Sequence, residues 1–266
     1  MEKVNYIKEF PLVNSQSLRL INQVDAPGYL FTIFEMTPQL QFAHRSQEYS
    51  RMVQPKDIFT DHWMLWFGNP PSASVYLKHQ GQWIEVSGPS GLYIPPFSML
   101  QWKIHPGNYE WVGFSWELKT SSLPSEAFVF SQNIRNPLNS LEEILQYIQS
   151  IEDRHGIIHD DSPSAVSSKA KKYIDSHFKD SKKFEEIAKQ LRIPHSTLTH
   201  YLKKSFGLSP SEYRKRLRAA ESLRLLIGNK QNTTEAYTQS GFQDYSRFFR
   251  NIKNTYGRSP TKYSPK

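Results

Sequence analysis

The chain has 266 residues, 38% of them apolar, and it contains no cysteine. This composition suits a folded chain of one large or two modest domains, and it excludes disulfides, zinc-finger sites and thiol catalysis. The net charge of +8 is unevenly spread: residues 1–162 hold 11 Lys+Arg against 17 Asp+Glu, while residues 163–266 hold 22 against 8. A basic block beside an acidic one points to a polyanionic partner for the C-terminal part, the plainer reading being a well-solvated surface.

The first residues, Met1-Glu2-Lys3-Val4-Asn5-Tyr6, lack the apolar stretch of a signal peptide. No run of about 18 apolar residues follows that would span a membrane, and a cytoplasmic protein is expected. Residues 1–130 read as short extended segments. Tyr29–Phe34, Met64–Phe67, Ser74–Leu77 and Trp111–Trp116 are rich in β-branched and aromatic residues, with breakers such as Gly68-Asn69-Pro70-Pro71 and Gly88-Pro89-Ser90-Gly91 between them. Many short strands predict a sandwich or barrel. The period then changes: Leu141, Ile144, Leu145, Ile148 and Ile151 form one apolar stripe on a helix, and Ser140 with Glu143 forms a capping box at its start. Such a stripe packs on its own domain or pairs with a second copy of the chain. Asp160-Asp161-Ser162-Pro163-Ser164 is polar and sits where the charge changes sign. It sets the expected boundary between a β-rich domain of residues 1–160 and an all-helical domain of residues 161–266. All six tryptophans fall in the first.

The helical part repeats itself. Phe206-Gly207-Leu208-Ser209-Pro210-Ser211-Glu212-Tyr213 matches Tyr256-Gly257-Arg258-Ser259-Pro260-Thr261-Lys262-Tyr263 at an offset of 50, and Leu198, Leu202 and Lys203 match Phe248, Ile252 and Lys253. Such self-similarity implies a duplicated supersecondary unit. Each copy reads as a helix, a tight turn and a second helix. In the first, Phe184–Gln190 is a short helix, Leu191-Arg192-Ile193 the turn, and Pro194 opens a helix that ends at Gly207. In the second, Asn232 and Glu235 cap a short helix, Ser240-Gly241-Phe242 turns the chain, and Asp244 opens a helix ending at Gly257. This is the helix-turn-helix layout, whose second helix can enter a major groove. Leu198, Leu202 and Phe206 make the inner stripe of the first such helix, and Phe248, Phe249 and Ile252 that of the second. Ser196, Thr199, His200 and Lys203 fall opposite, as do Tyr245, Ser246, Arg247, Arg250 and Lys253. Arginine pairs bidentately with guanine, serine and threonine read base edges or phosphate, and flanking lysines hold phosphate.

These residues resemble the AraC/XylS family of regulators. Gly241-Phe242, Phe248-Phe249-Arg250-Asn251-Ile252-Lys253 and Tyr256-Gly257-Arg258-Ser259-Pro260 carry the resemblance, with Ile187-Ala188, Tyr201-Leu202-Lys203-Lys204, Phe206-Gly207 and Ser209-Pro210 upstream. It implies two helix-turn-helix subdomains joined by a long helix, about Pro210 to Ile227, with Tyr213, Leu217, Ala220, Leu223 and Leu226 as its stripe. It implies recognition helices in adjacent major grooves of double-stranded DNA. It also implies a cupin-like jelly roll in the first domain, followed by a dimerisation helix, and RNA polymerase as a partner where the protein activates. Two positions depart from the pattern: Arg192 stands where many members carry glycine, and Tyr237 where a small alanine is usual. Left-handed backbone at a non-glycine residue costs on the order of 1 kcal/mol, and tyrosine is bulky for a tight helix contact.

A jelly-roll interior lined by aromatics can hold a small-molecule effector. Trp66, Tyr93, Phe97, Trp102 and Trp116 are the candidates, core packing being the alternative for each. Catalysis, a cofactor and a metal are not expected. A catalytic cupin needs a His-x-His pair with further ligands, whereas His44, His62, His79 and His105 stand apart, and neither a nucleophile elbow nor a phosphate-binding glycine loop is present. The competing functions are a cupin-type metalloenzyme with a basic appendage and a module that binds another protein without any ligand.

Overall fold

The computed structural model describes residues 12–14, 18–118, 122–134, 136–157, 164–229 and 231–264. The N-terminal segment and most of the expected linker Asp160–Ser164 lie outside the described residues. The chain divides into two compact units: the first lies within residues 1–157, apart from the short segments Asp57–Thr60 and His79–Gln82, and the second contains Ile158–Lys266.

The first unit contains strands β1 (Arg19–Ala26), β2 (Tyr29–Thr37), β3 (Leu40–Tyr49), β4 (Lys56–Ile58), β5 (Trp63–Gly68), β6 (Val75–His79), β7 (Gln82–Val86), β8 (Ser90–Ile94), β9 (Met99–Ile104), β10 (Gly107–Trp116) and β11 (Ala127–Ser131), helix α1 (Leu141–Ser150) and strand β12 (His155–Ile157). One sheet runs β1-β2-β3-β10-β5-β8-β11-β12 and the other β4-β9-β6-β7. Strand 3 therefore lies beside 10, 4 beside 9, 5 beside 8 and 6 beside 7. Pairs nested in this way, split between two sheets, are the winding of a jelly roll. Strands β1 and β2 extend one edge of the larger sheet, β11 and β12 the other.

Alternation gives the larger sheet two different faces. One face carries Leu40, Phe42, Leu65, Phe67, Tyr93, Phe114, Trp116, Phe128 and Phe130, clustered with Ile144, Ile148 and Ile151 of the α1 segment. The other face looks toward the four-stranded sheet: Trp111 on β10 meets Trp102 on β9 with ring centroids 6.3 Å apart.

Helix α1 begins with the expected capping box between Ser140 and Glu143, and Ile144 and Ile148 are fully buried. The inner part of the apolar stripe thus packs into its own unit, while Leu141 and Leu145 stay half-buried. At the other end Arg154 donates to the carbonyls of Ile148, Gln149 and Ile151. This supplies the positive charge that the C-terminal end of a helix favours.

The second unit is helical: α2 (Ala165–His177), α3 (Phe184–Gln190), α4 (His195–Phe206), α5 (Pro210–Gly228), α6 (Thr233–Gln239) and α7 (Tyr245–Tyr256), with a 3-10 turn at Pro260–Lys262. The inner face of α5 differs from the expected stripe. Tyr213, Leu217 and Leu226 are buried, but Ala220 and Leu223 are half-buried. Ala219, Leu225 and the polar Glu221 and Ser222 are buried instead. The 3.6-residue period has drifted because α5 is packed on more than one side: α2, α4, α6 and α7 all contact it.

Candidate nucleic-acid interface

The two helix-turn-helix copies share one backbone plan. After α3, Leu191 caps the helix, Arg192 turns left-handed at φ 57°, and Ile193 N–H returns to Ala188 O at 3.0 Å. After α6, Ser240 caps, Gly241 turns at φ 84°, and Phe242 N–H returns to Tyr237 O at 3.2 Å. Both second helices then end on left-handed glycines, Gly207 and Gly257, whose N–H groups bond Lys203 O at 2.9 Å and Lys253 O at 2.8 Å. Arg192 therefore adopts the strained left-handed turn that glycine takes in the second copy.

In α4, Leu198 and Leu202 are buried, whereas Ser196, His200 and Lys203 are exposed and Thr199 is half-buried. The third inner position is taken by Ser205, whose hydroxyl donates to Ser167 of α2 at 2.9 Å, and Phe206 is only half-buried. In α7, Phe248 and Ile252 are buried and Phe249 is half-buried, while Tyr245, Ser246, Arg247, Arg250 and Lys253 are exposed. Asp244 caps α7 by accepting from Arg247 N–H at 2.6 Å. Each second helix thus has a buried apolar stripe and a polar, cationic outer face.

Tyr237 does not wedge the second copy apart. The fully buried contact of α6 is Ala236. Tyr237 lies half-buried along the start of α7, its ring 5.7 Å from Tyr245 edge-on and 6.0 Å from Phe248. It supports Tyr245, a residue that is 41% exposed.

A polar framework joins the two copies, and helical periodicity does not reveal it. Glu221 of α5 is fully buried, accepting from Lys179 Nζ at 2.6 Å and from Arg224 Nε and Nη2 at 2.9 Å each. Burial pushes its carboxyl up, but Arg224 and Lys179 overcome this and hold it below the ordinary value. Ser222 of α5 donates to Ser240 in the second turn at 2.7 Å. A Cβ at Gly241 would stand 2.4 Å from Lys179 O. In the first copy Tyr213 of α5 donates to the buried Asp175 of α2, which also binds Lys171 at 2.8 Å. Burial raises the Asp175 carboxyl against the pull of Lys171 and Tyr213. The residues just after α2 thereby touch both α5 and the turn of the second copy.

In the first unit the five candidate ligand residues separate. Tyr93 and Trp116 belong to the core under α1; Tyr93 stacks on Phe128 at 4.8 Å and donates to Pro124 O at 2.8 Å. They are core residues, because their strand positions point to the α1 side of the sheet. Trp66 and Trp102 are half-buried on the side between the sheets, and Phe97 is half-buried in a left-handed turn at φ 59°. Trp111, which is not among the five expected residues, completes this wall. The Trp66 ring crosses Gly113 and the Trp111 ring crosses Gly68, where a Cβ would come within 2.8 Å and 2.5 Å of the indoles. Among the described residues, Trp102 Nε1 is buried with no hydrogen-bond acceptor, as is Trp116 Nε1 in the core. His62 is held between Asp61 at 3.1 Å and Glu117 at 2.9 Å, and among the described residues no group of His, Asp and Glu is gathered to hold a metal ion. No helix among the described residues is long and apolar enough to cross a membrane.

A family profile described as a helix-turn-helix domain matches residues 187–265. The Msm operon regulatory protein of Streptococcus mutans is 29% identical over 187 residues, 59% of this chain and 67% of that protein. The lactose operon transcription activator of Staphylococcus xylosus is 22% identical over 226 residues, 72% of this chain and 75% of that one. In fold, the chain is similar to unsaturated fatty acid-bound ToxT of Vibrio cholerae: TM-score 0.56, 13% identity, 86% of this chain and 96% of that one.

Proposed function

We propose, for a chain that belongs to the AraC/XylS family of transcription regulators, that α4 and α7 are its two recognition helices and enter adjacent major grooves on one face of the DNA. The protein is a sequence-specific DNA-binding regulator. Ser196, Thr199 and His200 of α4 and Tyr245, Ser246, Arg247 and Arg250 of α7 meet base edges in this reading, and Lys203 and Lys253 meet phosphate. The observation that carries it is the repeated outer face: at equivalent turns of two backbone-matched helices the apolar side chains are buried and the polar and cationic ones are exposed. The boundary of this DNA-binding domain is placed between residues 160 and 161. The test is selection of sheared genomic DNA by the purified protein, followed by sequencing. Discrete sites whose affinity falls steeply with salt support the reading; affinity unchanged between low and moderate salt overturns it.

The first unit is assigned the sensing role. Two relatives are named for sugar or operon control and one solved neighbour holds a fatty acid, so a small-molecule effector is the expected input. Trp66, Trp102 and Phe97, with Trp111, are the proposed wall of its site. The partnerless Trp102 Nε1 favours an effector that offers an oxygen acceptor beside an apolar face, since a buried donor without a partner costs about 1–3 kcal/mol. Titration with lactose, read by tryptophan fluorescence, checks this reading; an unchanged spectrum removes this sugar as the effector. The reading further places the protein in the cytoplasm, as a homodimer that contacts RNA polymerase where it activates, and assigns it no catalytic step. Stoichiometric iron, zinc or manganese in the purified protein would revive the metalloenzyme alternative.

A further inference from the structure

The arginines of α5 fall into two groups. Arg216 reaches Glu212 at 3.2 Å and Arg224 reaches Glu221 at 2.9 Å, so both face carboxylates. Arg214 and Arg218 are held by neutral oxygens instead. Arg214 Nη1 donates to Lys182 O at 2.6 Å, and Arg218 donates from Nε to Phe178 O and from Nη2 to Asp180 O, each at 2.6 Å. The Phe184 ring lies under the Arg214 guanidinium at 4.0 Å. A guanidinium has five N–H donors, so both heads are fixed in direction with donors to spare, and neither makes an ion pair with a carboxylate among the described residues, although the charge of Asp180 acts on both.

Both arginines line a cleft between the first turns of α5 and the start of α7, together with Lys215, Arg247 and Asn251. The one carboxylate in that lining, Asp244, is turned to its work as the cap of α7. Burial, and then the charge of Arg214, pushes Arg218 down to about 10, with Asp180 only partly offsetting this. Two cations are thus held close together, and with Lys215 and Arg247 the cleft carries four cations against the single carboxylate of its lining, Asp244.

We propose that this cleft binds a phosphate group, and that its occupant is a phosphate of the DNA backbone beside the major groove that α7 enters. The source follows from position. Helix α5 follows α4 directly and packs on α7, so the cleft lies between the helix that joins the two copies and the start of the second recognition helix. Arg247 belongs both to the cleft and to the outer face of α7. A planar guanidinium pair with a lysine at the rim matches the tetrahedral oxygens of a phosphodiester. The assignment rests on the reading of α4 and α7 as recognition helices.

The test uses the full chain with Lys215→Gln and Arg218→Gln, binding a duplex taken from its own selected sites and a random duplex, at salt concentrations from about 50 to 200 mM. Lys215 is exposed, so its variant keeps the fold even if Arg218→Gln does not. Each lost phosphate contact should lower the slope of log affinity against log salt by about 0.9. Both duplexes should weaken by the same factor, with base preference unchanged. A parallel arm follows thermal stabilisation by inorganic phosphate. A reduced slope assigns the cleft to DNA. An unchanged slope with phosphate stabilisation that Lys215→Gln removes assigns it to a free phosphate. Neither effect overturns the site. If the wild-type chain selects no DNA, the recognition-helix reading fails by itself, and the phosphate arm still decides the cleft.

Discussion

Gly241→Ala tests how tightly the second turn is fixed against the rest of the helical unit. The residue sits at φ 84°, and an added Cβ would lie 2.4 Å from Lys179 O and 2.6 Å from Lys179 Cα. Both obstacles are backbone and cannot swing aside. The left-handed conformation costs a residue with a Cβ about 1 kcal/mol, and forced overpacking adds about 1–3 kcal/mol. The expected loss is therefore about 2–4 kcal/mol. In a unit of about 100 residues each kcal/mol moves the midpoint by roughly 4–8 °C. The assay follows from the tryptophan distribution: all six lie before residue 117, so fluorescence reports the first unit and circular dichroism at the helical band reports mainly the second. Gly241→Ala should lower the dichroism transition by more than 8 °C and leave the fluorescence transition in place. Arg192→Gly, at the equivalent turn, should change stability by less than about 1 kcal/mol, because relief of left-handed strain is offset by the greater freedom of glycine in the unfolded chain. A Gly241→Ala transition that coincides with wild type would refute the packing argument.

Arg247→Ala and Arg250→Ala should each weaken binding to a selected site by about 1–3 kcal/mol and relax base preference, whereas Lys253→Ala should weaken all sequences alike and reduce the salt slope by about one; competition binding with point-changed duplexes separates the two patterns. Glu221→Ala leaves Lys179 and Arg224 without their carboxylate and should destabilise the helical unit by about 3–5 kcal/mol, read by urea unfolding. Because Glu221 is held below its ordinary value of 4.5, its contribution is complete above that pH and is lost as pH falls through the folded value. Glu221→Gln should flatten the acid side of the stability profile, and an acid limb identical to wild type would contradict the sign. Asp175 runs the other way: its raised carboxyl costs stability above its folded value, and the cost is relieved as pH falls toward the ordinary 3.8. Asp175→Asn should remove that relief in the same titration.

The helical unit was legible because local signals agreed with tertiary ones. Capping at Asn232 and Asp244, the terminal glycines 207 and 257, and the buried Leu198/Leu202 and Phe248/Ile252 pairs all follow from spacing, as does the Ser140 cap of α1 in the first unit. The framework of Glu221, Lys179 and Arg224 was not legible, because a buried carboxylate looks like a solvated one until its partner 42 residues away is in place. The same limit hid Ser205 behind Phe206 and left the α5 stripe misphased at Ala220 and Leu223. In the first unit the strands were visible but not their pairing, which joins residues far apart in the chain. Aromatic content alone therefore could not separate Tyr93 and Trp116, on the α1 side of the sheet, from Trp66, Trp102 and Trp111, on the side between the sheets.

Hydroxyl-radical footprinting of the full chain on a selected genomic site tests the central claim most directly. The account predicts, for each protomer bound, two protected blocks about 10 base pairs apart on one face of the duplex, with Arg247→Ala and Arg250→Ala erasing one block of the pair and leaving the other. A single block, or loss of both blocks together from either substitution, would contradict two recognition helices in adjacent grooves.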